Sequence, residues 1–267
     1  MMTTQHDFIG RVAAALGNAG ATERRRATVF SARPGRRNGE ILKRARTRTD
    51  VDRMMLLKEL IVQGKPLNLR VISKKDPSDT AAAIAALVEE RSPEWEGPKS
   101  VAAWRHPLLD SLDLPAILAR QKVPVYLPRQ TNGTPESMDE RSRFRSRVQT
   151  AFIGITSADY CLAQTATLVM KTVPGRDRSV SLLPSIHVAV IELNQIIRNL
   201  PELYACLKYD GKPPDWGFSN CLTLISGPSK TADIELTMVH GAHGPRELYL
   251  YVITPRSGPR DRMISIQ

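Results

Sequence analysis

Aromatic residues make up only 5% of this 267-residue chain, and cysteine occurs three times. So few rings argue against the stacking platforms on which single-strand nucleic-acid binders lay successive bases. Cys161, Cys206 and Cys221 are scattered and odd in number. They build neither a disulfide framework nor a CxxC cluster, so a reduced cytoplasm is the expected location. No usual spacing for an iron–sulfur cluster is present either. Long apolar runs are also missing. None approaches the ~18 residues of a membrane-spanning helix. The first apolar stretch, "FIGRVAAALG", contains Arg11 and reads as an amphipathic helix rather than a secretory leader. No metal site is expected. His240 and His243 stand three apart, but the glycines around them oppose a helix presenting both rings, and no carboxylate lies inside the motif.

What is present is enough for a real core, with 42% hydrophobic residues in a length that suits one large domain or a domain plus an arm. The net charge of +11 is unevenly placed. Between Arg24 and Arg48 ten bases face one acid, Glu40, and "RSRFRSR" (141–147) adds four arginines. Such blocks bind nucleic acid or acidic partners in some proteins. With so few aromatics they read here as a solvated arm and an exposed helix face, and nucleic acid is not the expected partner. The expected organisation is an N-terminal helix (about 6–16) and basic connector over 1–48, then an α/β domain over 49–267.

Helices are predicted in "GEILKRARTR", in "VDRMMLLKELIV" and over 78–91, the last capped by Ser78 or Asp79, and "LNQIIRNLPELYACLKY" also reads as helical. "PVYLP" (124–128) suggests a short strand and 129–140 a loop. In the second half "AFIGIT", "ATLVM", "IHVAVI", "CLTLIS" and "LYLYVI" are short, β-rich apolar runs bounded by turn signals. Strands of this kind are buried on both faces, as in an open, mostly parallel sheet flanked by helices. Ligands of such domains usually sit beyond the carboxyl ends of the strands.

"LTLISGPSKTADIELTMV" (222–239) has the outline of a phosphate loop, because an apolar run meets a tight turn followed by Lys-Thr. The G-x-x-x-x-G-K-[ST] motif needs glycines where Leu224 and Ser229 stand, so the nucleotide-hydrolase reading fails. A weaker reading survives. A strand runs into Ser226-Gly227-Pro228-Ser229, and a helix is predicted to follow, with Lys230 and Thr231 at its start. Exposed N–H groups and hydroxyls there suit a carboxylate or phosphate, while the same residues also serve as ordinary helix caps. Asp233 and Glu235 are candidates for proton transfer or hydrogen bonding.

Three further stretches complete the candidate site. "GITSADYCLAQTATLV" carries Thr156, Asp159, Gln164, Thr165 and Thr167 around a strand–turn–strand, lining a cleft or satisfying backbone groups. His187, alone in a strand, reads as structural. His243, followed by Gly244, is a candidate acid, base or anion donor.

In this order, "GIT-SADYCLAQTATLVM", "SLLPSIHVAVIE", "ISGPSKTADIE" and "GAHGPREL" resemble the lactate-utilization LUD-domain family, in its LutC/YkgG branch. "DFIGRVAAALG" and "WRHPLLDSLDL" extend the resemblance over nearly the whole chain. It implies a fold similar to NagB/RpiA/CoA-transferase-like domains. It also implies a part in oxidising L-lactate to pyruvate beside two operon-encoded partners, which hold the iron–sulfur clusters and leave no cofactor on this chain. The family usually reads Ala-Glu-Thr-Gly-Thr where this chain has Ala163-Gln164-Thr165-Ala166-Thr167. A carboxylate fit to act as base or nucleophile is thus an amide, which takes no proton at neutral pH. Lys230 stands where arginine is also usual, without the bidentate fork.

The expectation is a non-cluster subunit that binds a small anion in a cleft made by 154–167, 226–233 and 240–245. Its alternatives are a stand-alone enzyme acting on a phosphorylated or acyl substrate and a nucleic-acid binder using the arginine-rich arm.

Overall fold

The structure, a computed structural model, describes residues 5–15, 34–94, 97–129, 137–209, 221–232, 238–240 and 244–254. These fall into two compact units, one within 1–47 and 204–212, the other within 48–203 and 213–267. The first unit holds α1 (Gln5–Ala15) and α2 (Arg36–Arg46). On α2 the bases lie mostly exposed, and Arg36 meets Glu40 one turn on at 3.2 Å.

The second unit begins with α3 (Asp50–Gly64), whose start is fixed by a reciprocal cap. The Thr49 hydroxyl accepts from the Asp52 N–H at 3.2 Å, and the Asp52 carboxylate accepts from the Thr49 N–H at 3.0 Å. Leu56, Leu57 and Leu60 form its buried stripe. A single turn over 65–67 leads into β1 (Leu69–Lys74), then α4 (Pro77–Glu90) and β2 (Val101–Ala103). Next come α5 (Pro107–Asp110), α6 (Leu114–Ala119), β3 (Val125–Tyr126) and α7 (Met138–Thr150). The arginine knot lies on α7, which buries Phe144 and Val148 one turn apart and leaves its arginines on the outer side.

Six strands form the central sheet in the order β1-β12-β7-β4-β2-β3, where β4 is Ile153–Ser157, β7 is Ile186–Glu192 and β12 is Glu247–Ile253. Every ladder in it is parallel. The run Val188-Ala189-Val190-Ile191 is wholly buried, as a strand covered on both faces must be. Register sets Gly154 beside His187 and Thr156 beside Ala189. A Cβ on Gly154 would lie 1.8 Å from the Val180 carbonyl oxygen, so only glycine lets the 178–181 turn cross there.

β5 (Tyr160–Leu162), β6 (Thr167–Lys171), β8 (Ile196–Ile197) and β9 (Leu222–Ile225) make a second, mixed sheet in the order β8-β5-β6-β9. β10 (Lys230–Ala232) and β11 (Met238–His240) pair antiparallel. α8 spans Leu200–Tyr209.

Several sequence expectations are corrected. The apolar runs at 166–170 and 221–226 do not join the parallel sheet, and β9 is an edge strand that exposes Leu222 and Leu224. The helix expected after Ser229 is strand β10, because the Ser229 N–H is taken by the Pro245 carbonyl and Thr231 pairs with Val239. α4 is capped by Asp76, whose carboxylate accepts from the Asp79 N–H at 2.8 Å. The predicted helix over "LNQIIRNLPELYACLKY" is α-helical only from Leu200, with a single 3-10 turn at Leu193–Gln195 and Ile196–Ile197 paired as β8. β1 and β2 are strands that the apolar pattern missed.

Candidate functional site

β5 and β6 are joined by the turn 163–166, and β6 pairs antiparallel with β9 so that Leu168 faces Ile225. That register brings Thr165, Thr167 and Ser226 into one chain of hydroxyls. Thr167 Oγ1 lies 2.7 Å from both Thr165 Oγ1 and Ser226 Oγ, and 3.1 Å from the Thr165 carbonyl oxygen. Thr167 is buried, whereas Thr165 and Ser226 reach the surface. With the Thr167 proton on the carbonyl, both outer hydroxyls turn their protons inward. An anion at either end reverses that direction, since hydroxyl rotors follow the stronger acceptor.

Ser226 opens the turn that continues through Gly227 and Ser229. Gly227 has φ +83, and a Cβ there would come within 2.4 Å of the Leu67 carbonyl oxygen. The Ser229 N–H donates to the Pro245 carbonyl at 2.8 Å, and Gly244 packs against the Ser229 side chain. Leu67 and Pro245 each stand two residues ahead of a parallel strand, β1 and β12. The turn is therefore braced at the amino ends of the sheet, not beyond the carboxyl ends. Lys230 is exposed on β10.

Of the other predicted residues that the structure describes, Thr156 and Gln164 do not join the hydroxyl chain. Thr156 is sealed in β4, its Oγ1 2.8 Å from His187 Nε2, and lines no open cleft. His187 Nδ1 is buried without a hydrogen-bond partner among the described residues. Burial pushes this imidazole down to about 3. Gln164 is exposed on the turn, its N–H bonded to the Arg198 carbonyl. Only the backbone of Thr231 is described, and Asp233, Glu235 and His243 lie outside the described residues.

At the opposite edge the structure assembles a polar cluster that the sequence reading left apart. β2 leads on toward β3 while β4 leads on toward β7 and β12, so the connections diverge between neighbours β4 and β2. Crevices at such points bind ligands in many α/β domains. Arg105 and His106 follow β2, and Asp159 follows β4. Asp159 accepts from the Lys171 N–H at 2.7 Å and pairs with Arg176 at 3.3 Å. The Arg105 N–H donates to the Gly175 carbonyl at 3.1 Å. His106 Nδ1 accepts from the Leu108 N–H, so its ring proton sits on Nε2. Burial holds this imidazole below its ordinary range, helped by Arg176 and opposed by Asp159 and Asp110. Asp159 was legible in the sequence as a polar residue of the 154–169 stretch, whereas Arg105 and His106 showed only as "WRHP", directly after a strand three residues long. No group of three or more His, Cys, Asp or Glu is placed to hold a metal among the described residues, and no helix there is long and apolar enough to cross a membrane.

A family model described as the LUD domain matches residues 57–253. The chain belongs to the LUD-domain family. Its relatives include Lactate utilization protein C of Halalkalibacterium halodurans, 33% identical over 171 residues, covering 64% of this chain and 67% of that protein. The protein of the same name from Shouchella clausii is 31% identical over 162 residues, covering 59% and 63%. The chain thus spans about two thirds of the length of these relatives. A crystal structure of a DUF162 family protein from Deinococcus radiodurans is similar with a TM-score of 0.46 at 17% identity, covering 77% of this chain and 99% of that one.

In this LUD chain the departure at Ala166 has a structural counterpart. Ala166 adopts φ +45, in the left-handed region that favours glycine, and it is fully buried. The turn keeps its glycine geometry although the side chain has a methyl group.

Proposed function

We propose that this LUD-domain protein serves lactate utilization as a non-cluster subunit, beside iron–sulfur partner proteins encoded with it. Its own task is to bind a small anion at the hydroxyl chain of Thr165, Thr167 and Ser226. The observation that carries the pathway is the similarity to relatives named Lactate utilization protein C. The anion reading is supported by the chain of three hydroxyls, buried in the middle and open at both ends, beside the braced turn 226–229.

Gln164 argues against covalent catalysis by this chain, because an exposed amide supplies neither nucleophile nor base. Of the three cysteines, Cys161 and Cys206 are buried and Cys221 is half-buried, and burial raises the Cys161 thiol above its ordinary range. In this reading electron transfer belongs to the partners, and the protein works in the cytoplasm.

The test is anaerobic, lactate-driven dye reduction by the complete set of proteins, by the set lacking this chain, and by this chain alone. Activity is expected in the complete set and lost on omission. Undiminished activity without the chain removes it from the reaction.

A further inference from the structure

A cavity of about 550 Å3 lies along β1, at the amino end of the strand. β1 is an edge strand that pairs only with β12 among the described residues, which leave its other side uncovered by a strand. Ile61 of α3 with Leu69 and Val71 of β1 make one apolar side of the cavity. Lys65, Arg70 and Arg246 bring three cations to it from three separate segments, the 65–67 turn, β1 and the residue ahead of β12. None of the residues expected from the sequence to bind an anion lines this space.

The one carboxylate in the lining is already engaged. Glu247 Oε2 accepts from the Tyr249 hydroxyl at 2.6 Å and from Arg70 Nη1 at 2.8 Å, and lies 3.3 Å from Arg91 Nη2. Arg246 Nε meets Glu94 at 3.1 Å. Lys65 is exposed and has no carboxylate partner among the described residues. The cavity is thus cationic on one side and apolar on the other. Its volume falls in the range of organic-ligand pockets, roughly 300–1,000 Å3, well above the need of a bare inorganic ion.

We propose that this cavity binds a phosphate monoester, with the phosphate held by Lys65, Arg70 and Arg246 and the ester group against Ile61, Leu69 and Val71. Three cations on three separate segments, Lys65 unpaired among the described residues and Arg70 and Arg246 each shared with one carboxylate, suit the three outer oxygens of a tetrahedral head. A carboxylate offers two oxygens in one plane and is best met by a single guanidinium fork.

Titration calorimetry on the full chain tests this with phenyl phosphate, phenylacetate and inorganic phosphate. Phenyl phosphate should bind about 10-fold more tightly than either of the others, which lack the tetrahedral head or the apolar body. Lys65→Met changes an exposed side chain and leaves the fold intact by circular dichroism. It should weaken phenyl phosphate about 10-fold, and Val71→Trp, which fills the apolar side, should abolish binding. The proposal is overturned if phenyl phosphate gives no saturable binding, if phenylacetate binds as tightly, or if Lys65→Met binds like the parent.

Discussion

Thr156 and His187 meet across neighbouring parallel strands, with Oγ1 and Nε2 2.8 Å apart and no solvent contact at either residue beyond 1%. The imidazole keeps a second nitrogen unbonded among the described residues, so this pair is tolerable only while the ring is neutral.

The first prediction follows from that neutrality. In the folded chain the His187 ring takes up a proton near pH 3, against an ordinary value of 6.5 when unfolded. The folded value is the depressed one, so the contribution is complete above about pH 6.5 and declines as pH falls toward 3. The decline is at most about 1.4 kcal/mol per pH unit. Urea unfolding between pH 7.5 and pH 4.5 should show this loss, with a shallower slope for His187→Gln. Equal slopes for both proteins would remove His187 as the cause.

A second prediction concerns two alanines of one turn. Ala163 and Ala166 are both fully buried, but only Ala166 has positive φ. Changing Ala166 to glycine relieves backbone strain while removing one methyl, so its melting temperature should stay within error of the parent. Ala163→Gly loses the methyl and gains only unfolded-state freedom, costing about 1 kcal/mol. Equal losses in thermal melts would mean that the turn is unstrained.

The third addresses the hydroxyl chain. Thr167→Val keeps the shape and breaks both 2.7 Å contacts. It should weaken binding of a small carboxylate such as lactate about 10-fold. Gly227→Ala should remove binding and lower stability, since its methyl meets the Leu67 carbonyl. Unchanged lactate titrations for Thr167→Val would move the anion site elsewhere.

Arg48 supplies the fourth. The side chain of this last base of the arginine-rich stretch is only 9% exposed, and its guanidinium grips Glu202 through contacts of 2.8 and 3.0 Å. Glu202 also accepts from the Arg198 N–H at 3.0 Å. Glu202→Gln leaves a buried guanidinium without its counter-charge, a loss of about 3 kcal/mol. Chemical denaturation reads this directly, and a loss below about 1 kcal/mol would show that the pair behaves as a surface bridge.

How much of this was legible beforehand depends on what each residue type can signal. "IHVAVI" and "LYLYVI" declared themselves as buried parallel strands because apolar residues fill both faces. β1 hid because Arg70 and Lys74 interrupt its pattern at the sheet edge, and β2 is too short to carry a period. "KTADIE" suggested a helix, but the backbone N–H of Ser229 is committed to Pro245, a partner sixteen residues on that local propensity does not register. Thr165, Thr167 and Ser226 were recognisable as hydroxyl candidates. Their chain exists only through the β6–β9 register, and the same limitation hid Arg105, His106 and Arg176.

The pairing of β1 with β12 also sets an order of events during synthesis. Leu69 and Leu248 are neighbours in the sheet but 179 residues apart in the chain. At ribosomal speeds of roughly 5–20 residues per second, β1 waits about 10–35 s for its partner strand. Through that interval its ladder groups have no strand to pair with, and α3 packs against an unfinished sheet. The nascent chain is thus most exposed to unwanted strand pairing just before β12 emerges.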